Sequence, residues 1–134
     1  MVHVDGGARG NPGPSAVAAV ASDASGQELS ERAAYIGETT NNVAEYKAVL
    51  LGLELARELE AEEVSVVNDS ELVSRQIDGR YKVKNAGLKP LYLQAMEELR
   101  RFDDWSVTSV RRESNERADE LVNDELDRRG SRRG

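Results

Sequence analysis

The segment Val2-His3-Val4-Asp5-Gly6-Gly7-Ala8-Arg9-Gly10-Asn11-Pro12-Gly13 constrains this chain more than any other. Its first half alternates as a strand does, with Val2 and Val4 on one face and His3 and Asp5 on the other. The Gly/Asn/Pro run behind it turns the chain back at once. A strand that opens a domain and is followed by βα patterns belongs near the middle of its sheet. A carboxylate there is costly unless a cation or hydrogen bonds compensate it. Asp5 needs a partner.

The rest of the chain supplies such a sheet. Residues 15–22 are small and apolar; Ala favours helix, but the run is short and bounded by turn signals, so it reads as a buried strand. Asp23-Ala24-Ser25-Gly26 makes a hairpin turn, and residues 28–36 return as a third strand. Thr39, Thr40, Asn41 and Asn42 cap the longest helical pattern, residues 43–59, whose apolar positions cover more than half its circumference and call for burial. Residues 62–67 form a β-branched strand after a crossover, parallel to strand one. A short helix carrying Leu72, Val73 and Ile77 follows, then a polar loop over 78–87 and a helix over 89–102 opened by Pro90. A fifth strand spans 105–110 and a last helix runs from Ser114 to about Leu126.

The expected fold is α/β: a mixed five-stranded sheet, strands 1–3 antiparallel, strands 4 and 5 parallel to strand 1, with helices on both faces. One catalytic-size domain fills residues 1–127, and the basic tail 128–134 is expected to be disordered.

Composition narrows the function classes. No apolar run approaches the roughly 18 residues of a membrane span, and no basic-then-apolar leader opens the chain. With no Cys there are no disulfides and no thiolate metal sites, which fits a reducing cytoplasm. A net charge of −7 argues against a polyanionic partner only as a sum, because the distribution of charge decides. The basic residues are 14 Arg against 4 Lys; this bias with abundant acids resembles proteins of salty cytoplasm, and a GC-rich genome gives the same bias.

Four acids sit where folding does not require them: Asp5 on strand one, Glu45 expected in the first turn of the buried helix, Asp69 ending strand four, and Asp119 in the first turns of the last helix. Ligands of open α/β sheets bind beyond the carboxyl ends of parallel strands. Strand four beside strand one brings Asp69 to Asp5, and the two helices can add the others. Four carboxylates on one rim repel unless cations bind, and hard oxygen donors suit Mg²⁺ or Mn²⁺. Each acid also has a plainer reading: the helix dipole for Glu45 and Asp119, a cap for Asp69-Ser70, a turn for Asp5. If the acids only solvate the surface, they should lie scattered.

The blocks Asp5-Gly-Gly-Ala-Arg-Gly-Asn-Pro-Gly-Pro, Thr39-Thr-Asn-Asn-x-x-Glu45, Asp69-Ser70 and Asn115-Glu-Arg-Ala-Asp119 together resemble type 1 ribonuclease H, in order and in spacing, across nearly the whole chain. With the loop Tyr81-Lys82-Val83-Lys84-Asn85 the chain resembles its compact archaeal and bacterial branch. The resemblance implies hydrolysis of the RNA strand of RNA/DNA hybrids, leaving 5′-phosphate and 3′-hydroxyl ends, as in removal of primers and R-loops. It implies two Mg²⁺ ions roughly 3.5–4 Å apart, with Mn²⁺ as substitute, bridged by Asp5 and completed by Glu45, Asp69 and Asp119. Asn41, Asn42 and Asn11 would contact the 2′-hydroxyls, Thr40 a DNA phosphate, and Lys82, Lys84 and Asn85 the backbone; capping and a solvated loop are the plainer readings. The implied protein is a cytoplasmic monomer with no protein partner. Many relatives carry a His in the loop before the last carboxylate, whereas here it reads Arg111-Arg112-Glu113-Ser114-Asn115. The single His3 reads as structural, and Glu113 or Glu116 are candidates to assist instead.

Overall fold

A computed structural model describes residues 1–131 of the chain, and the side chains of residues 1–129. The elements run β1 (Val2–Ala8), β2 (Gly13–Ser22), β3 (Glu28–Thr39), α1 (Asn41–Glu58), β4 (Glu63–Asn68), α2 (Glu71–Ile77), α3 (Lys89–Leu99), β5 (Asp104–Ser109), a 3₁₀ turn (Arg112–Asn115) and α4 (Glu116–Ser131). The sheet order is β3-β2-β1-β4-β5, with β1–β2 and β2–β3 antiparallel and β1–β4 and β4–β5 parallel. This is the expected architecture, and β1 lies at its centre.

The Ala-rich second strand shows why the sheet is three layers thick. Val17, Ala19 and Ala21 join the core under α1, while Ala16 and Ala18 join a smaller cluster with Val122 and Leu126 of α4. A strand buried on both faces reads as continuous apolar sequence, and small side chains let both helices approach. In α1, Ala44, Tyr46, Ala48, Val49, Gly52, Leu53, Leu55 and Ala56 are all buried, so one broad side of the helix lies against the sheet and core.

Three expectations shift. Glu45 is the fifth residue of α1, in its second turn, because Thr40 caps the helix two residues ahead of the expected start: its hydroxyl accepts from Val43 N–H at 3.3 Å. The helix α3 ends at Leu99 and not at 102. Most of the tail's opening is helical: α4 continues through residue 131, with Arg128 paired to Glu125 at 3.1 Å and the Arg129 guanidinium 4.5 Å above the Tyr35 ring of β3. Basic side chains in a last turn suit the helix dipole. The remainder of the expected disordered tail, residues 132–134, lies outside the described residues.

Candidate active site

The parallel pairing of β1 with β4 aligns His3 with Val67. Continuing that register two residues sets Asp69 opposite Asp5. Asn68 fixes the turn that carries Asp69: its amide donates to Ser74 Oγ at 2.9 Å and to the Thr108 carbonyl at 3.0 Å, and its oxygen accepts from Ser70 N–H at 2.7 Å.

Glycine brings the second helix in. Gly6 lies on the β1 face shared with Val2 and Val4, and a Cβ there would stand 2.1 Å from the Ala44 carbonyl oxygen and 2.9 Å from the Glu45 nitrogen. Gly52 does the same from the helix side, where a Cβ would meet Val4 Cγ1 at 2.5 Å. The backbone of α1 therefore rests directly on β1, and Glu45 stands beside Asp5. Asn41 orients it: the amide nitrogen donates to Glu45 Oε1 at 3.3 Å, and the amide oxygen accepts from Ala8 N–H at 3.2 Å. Asn11 in turn accepts from Asn41 N–H at 3.0 Å.

The fourth acid arrives on α4. Asn115, 2% exposed, donates to the Val4 carbonyl at 2.8 Å and so ties the start of α4 to the strand residue before Asp5. Asp119 follows one turn later, and Asn123 donates to its carbonyl at 3.1 Å and its carboxylate at 3.4 Å.

The result is a cleft of about 150 Å³ that contains all four acids, Asp5, Glu45, Asp69 and Asp119, together with Asn41, Asn123, Arg9 and Arg112. The acids are gathered, which removes the reading in which they only solvate the surface. Asp5 is 7% exposed and within hydrogen-bonding reach of both Asp69 and Asp119. Burial first, and then the two neighbouring carboxylates, push its carboxyl up to about 8. Burial also raises Glu45, a shift opposed by a hydrogen bond to Ser70 and by Arg112. Asp69 Oδ2 is buried without a hydrogen-bond partner, its nearest cation being Arg112 Nε at 3.5 Å.

An orphaned buried carboxylate oxygen beside two acids crowded on a third suits a hard divalent cation, since oxygen-only donors favour Mg²⁺ or Mn²⁺. Among the described residues, no three acidic or His side chains stand at ligand spacing.

Not every expected residue reaches the cleft. Asn41 lines it, and Asn11 stands behind Asn41, accepting from its N–H. Thr40 caps α1, and Asn42 is exposed two residues on. Lys82, Lys84 and Asn85 lie exposed on the loop between α2 and α3, where Asn85 closes a turn by accepting from Gly87 N–H at 2.7 Å. His3 is half-buried on β1 and outside the cleft, and burial lowers its imidazole below 6.5. Sequence reasoning missed Arg9, Asn68, Arg112 and Asn123. Arg9 and Arg112 stood inside segments already singled out, but neither residue type announces where its long side chain will lie.

With this geometry in hand, the likeness to known proteins is specific. The family described as "Reverse transcriptase-like" matches residues 3–125. LC11-RNase H1, solved in complex with an RNA/DNA hybrid, superposes with a TM-score of 0.90 at 44% identity, over 95% of this chain and 96% of that one. The chain belongs to the ribonuclease H family. Among curated ribonucleases H, the Ribonuclease HI of Halobacterium salinarum is 42% identical over 93% of this chain. The bifunctional protein Rv2228c of Mycobacterium tuberculosis is 43% identical over 95% of it. The chain spans 63% of the length of the first and 35% of the second.

Proposed function

We propose that the chain is an endonuclease that hydrolyses the RNA strand of RNA/DNA hybrids without sequence preference, leaving 5′-phosphate and 3′-hydroxyl ends. The observation that carries this reading is Asp5, a buried carboxylate midway along the central strand and in direct reach of Asp69 and Asp119. Such an arrangement stabilises nothing by itself and becomes favourable only with cations. The hybrid complex of LC11-RNase H1 supports the substrate.

In this reading Asp5, Glu45, Asp69 and Asp119 hold two divalent ions, Mg²⁺ or in its place Mn²⁺. Bound there, such ions would supply Lewis-acid chemistry, making a water acidic and offsetting negative charge on phosphodiester oxygens. The protein's own part is positional. Asp5 is fixed by β1, Asp69 by the Asn68 network, Glu45 by Asn41, and Asp119 by Asn115 and Asn123. Asn11 in the turn between β1 and β2, with Asn41 and Asn42 at the start of α1, offers amides to the 2′-hydroxyls that distinguish RNA from DNA. Thr40, Lys82, Lys84 and Asn85 contact the hybrid's backbone away from the carboxylates. The same reading gives a cytoplasmic monomer that clears primers and R-loops.

The test is cleavage of an end-labelled hybrid with Mg²⁺ or Mn²⁺, against single-stranded RNA and duplex DNA. Wild type should cut the RNA of the hybrid alone, EDTA should stop it, and Asp69→Asn should bind the hybrid without cutting. Equal cutting by wild type and Asp69→Asn would sink the assignment of the site.

A further inference from the structure

The carboxylate cleft contains two cations, Arg9 and Arg112. Arg112 lies against Asp69 and faces Glu45. Arg9 is different: its partner is Asp127 of α4, with Nη2 2.6 Å from Oδ1, outside the four acids. Asp127 falls eight residues after Asp119 and four after Asn123, so all three share one face of α4. That polar stripe leads out of the cleft and ends on Arg9.

The backbone of Arg9 is held firmly while its side chain is not. Arg9 N–H donates to the Pro14 carbonyl at 2.9 Å, and a Cβ on Gly13 would stand 2.1 Å from the Arg9 carbonyl oxygen. Gly10, at φ 100°, makes the turn between them. The side chains of Arg9 and Asp127 are 46% and 67% exposed. A pair so open to water contributes less than about 1 kcal/mol, so it is no staple. It also uses one donor of a guanidinium that has five, a fork suited to phosphate oxygens.

We infer that Arg9 binds a backbone phosphate of the strand being cut, and that Asp127 is a resident anion which this phosphate displaces. The inference rests on the hybrid-cleaving reading. Electrostatics favours it, because two divalent ions do no more than offset the four acids, and the phosphates flanking the scissile one need a further cation away from the acids themselves. Arg9 lines the same cleft as the four acids, so a phosphate it holds belongs to the strand that enters that cleft.

The two members of the pair should therefore act in opposite directions. Binding of a short fluorescein-labelled RNA/DNA hybrid is measured by anisotropy in the Asp69→Asn background, which spares the substrate. Arg9→Ala should raise Kd about tenfold and lower the salt slope by about 0.9. Asp127→Asn should lower Kd about threefold, the strength of an exposed ion pair, and should give no gain once Arg9 is Ala. If both substitutions weaken binding alike, the pair only braces the loop and the inference falls. It falls too if Arg9→Ala leaves Kd and slope unchanged in a parent that binds hybrid well, and the hybrid-cleaving reading then survives. A parent that binds no hybrid, with a wild type that cuts none, overturns both.

Discussion

Two helices bring an acid to Asp5, and they do it by unlike means. On one face of β1, α1 is seated by steric contact: Gly6 and Gly52 allow backbone against strand, and Tyr46, Val49, Leu53 and Leu55 fill the core around them. On the other face, α4 packs through a small cluster of Ala16, Ala18, Val122 and Leu126 and is otherwise pinned by polar groups. Those pins are Asn115 to Val4, Arg117 to Glu31, and Arg9 to Asp127. The first of these is buried, but the other two lie in water, and exposed pairs can exchange partners whereas contacts inside a dense core have one arrangement. Glu45 is thus built in place, and Asp119 sits on the side that can adjust as cations and substrate arrive.

The comparison breaks hardest at Gly6. A methyl group there meets a backbone carbonyl at 2.1 Å, which no side-chain rotation relieves. Gly6→Ala should cost at least about 3 kcal/mol and disable cleavage, since α1 must lift and take Glu45 with it. Thermal melting of the folded fraction checks the first half and hybrid cleavage the second. A variant that melts like wild type would show that α1 is not seated as rigidly as its geometry implies.

Asp5 is the hinge between the two sides, and its substitution tests the cluster itself. Its carboxyl titrates near 8 when folded and near 3.8 when unfolded. Below about pH 4 both states are protonated and nothing is lost. As pH rises towards 8 the unfolded chain releases the proton while the fold retains it, so metal-free stability falls, and above 8 the penalty is constant. Asp5→Asn should remove this decline, raising metal-free stability near neutral pH by on the order of a few kcal/mol while abolishing cleavage. Denaturant midpoints in EDTA across pH 4–9 measure it; a wild type whose stability is flat across that window would contradict the crowding of the three acids.

The acids and the order of elements were legible because they follow from local rules. Alternation marks β1, a buried three-layer sheet makes β2 continuous and apolar, and a crossover makes β4 parallel, which sets Asp69 beside Asp5. What was not legible depends on reach across the fold. Nothing local to Asn115 says that its amide will find the Val4 carbonyl, 111 residues away in sequence, and nothing local to Arg9 points to Asp127. Past Leu126, α4 continues with Arg129 reaching over the Tyr35 ring of a distant strand, a contact no local pattern announces. Tertiary partners, not propensity, decided each of these.

Asn115→Ala sharpens the polar side. Removing a buried amide that satisfies a buried carbonyl should cost about 2 kcal/mol. Because it frees the start of α4 without disturbing α1, it should also weaken the stabilisation that added Mg²⁺ gives, which a melting series with and without the ion would read. Equal loss with and without Mg²⁺ would mean that Asn115 serves the fold alone.

The smallest effect belongs to Arg117, whose guanidinium bridges the exposed Glu31 and Glu120. These pins lie in water, so Arg117→Ala should cost less than about 1 kcal/mol, and the loss should shrink as salt screens the wild-type pair. Its partners sharpen the point. Glu28 and Glu31 share this corner of β3, where Glu28 is raised by its hydrogen bond and repulsion with Glu31, while Arg117 holds Glu31 down. Without the arginine the two glutamates are left to repel, so Glu31→Gln in the Arg117→Ala background should restore part of the loss. If the single substitution instead cost as much as Asn115→Ala, α4 would be fixed from its exposed face, and the division between a rigid and an adjustable side of Asp5 would have to be given up.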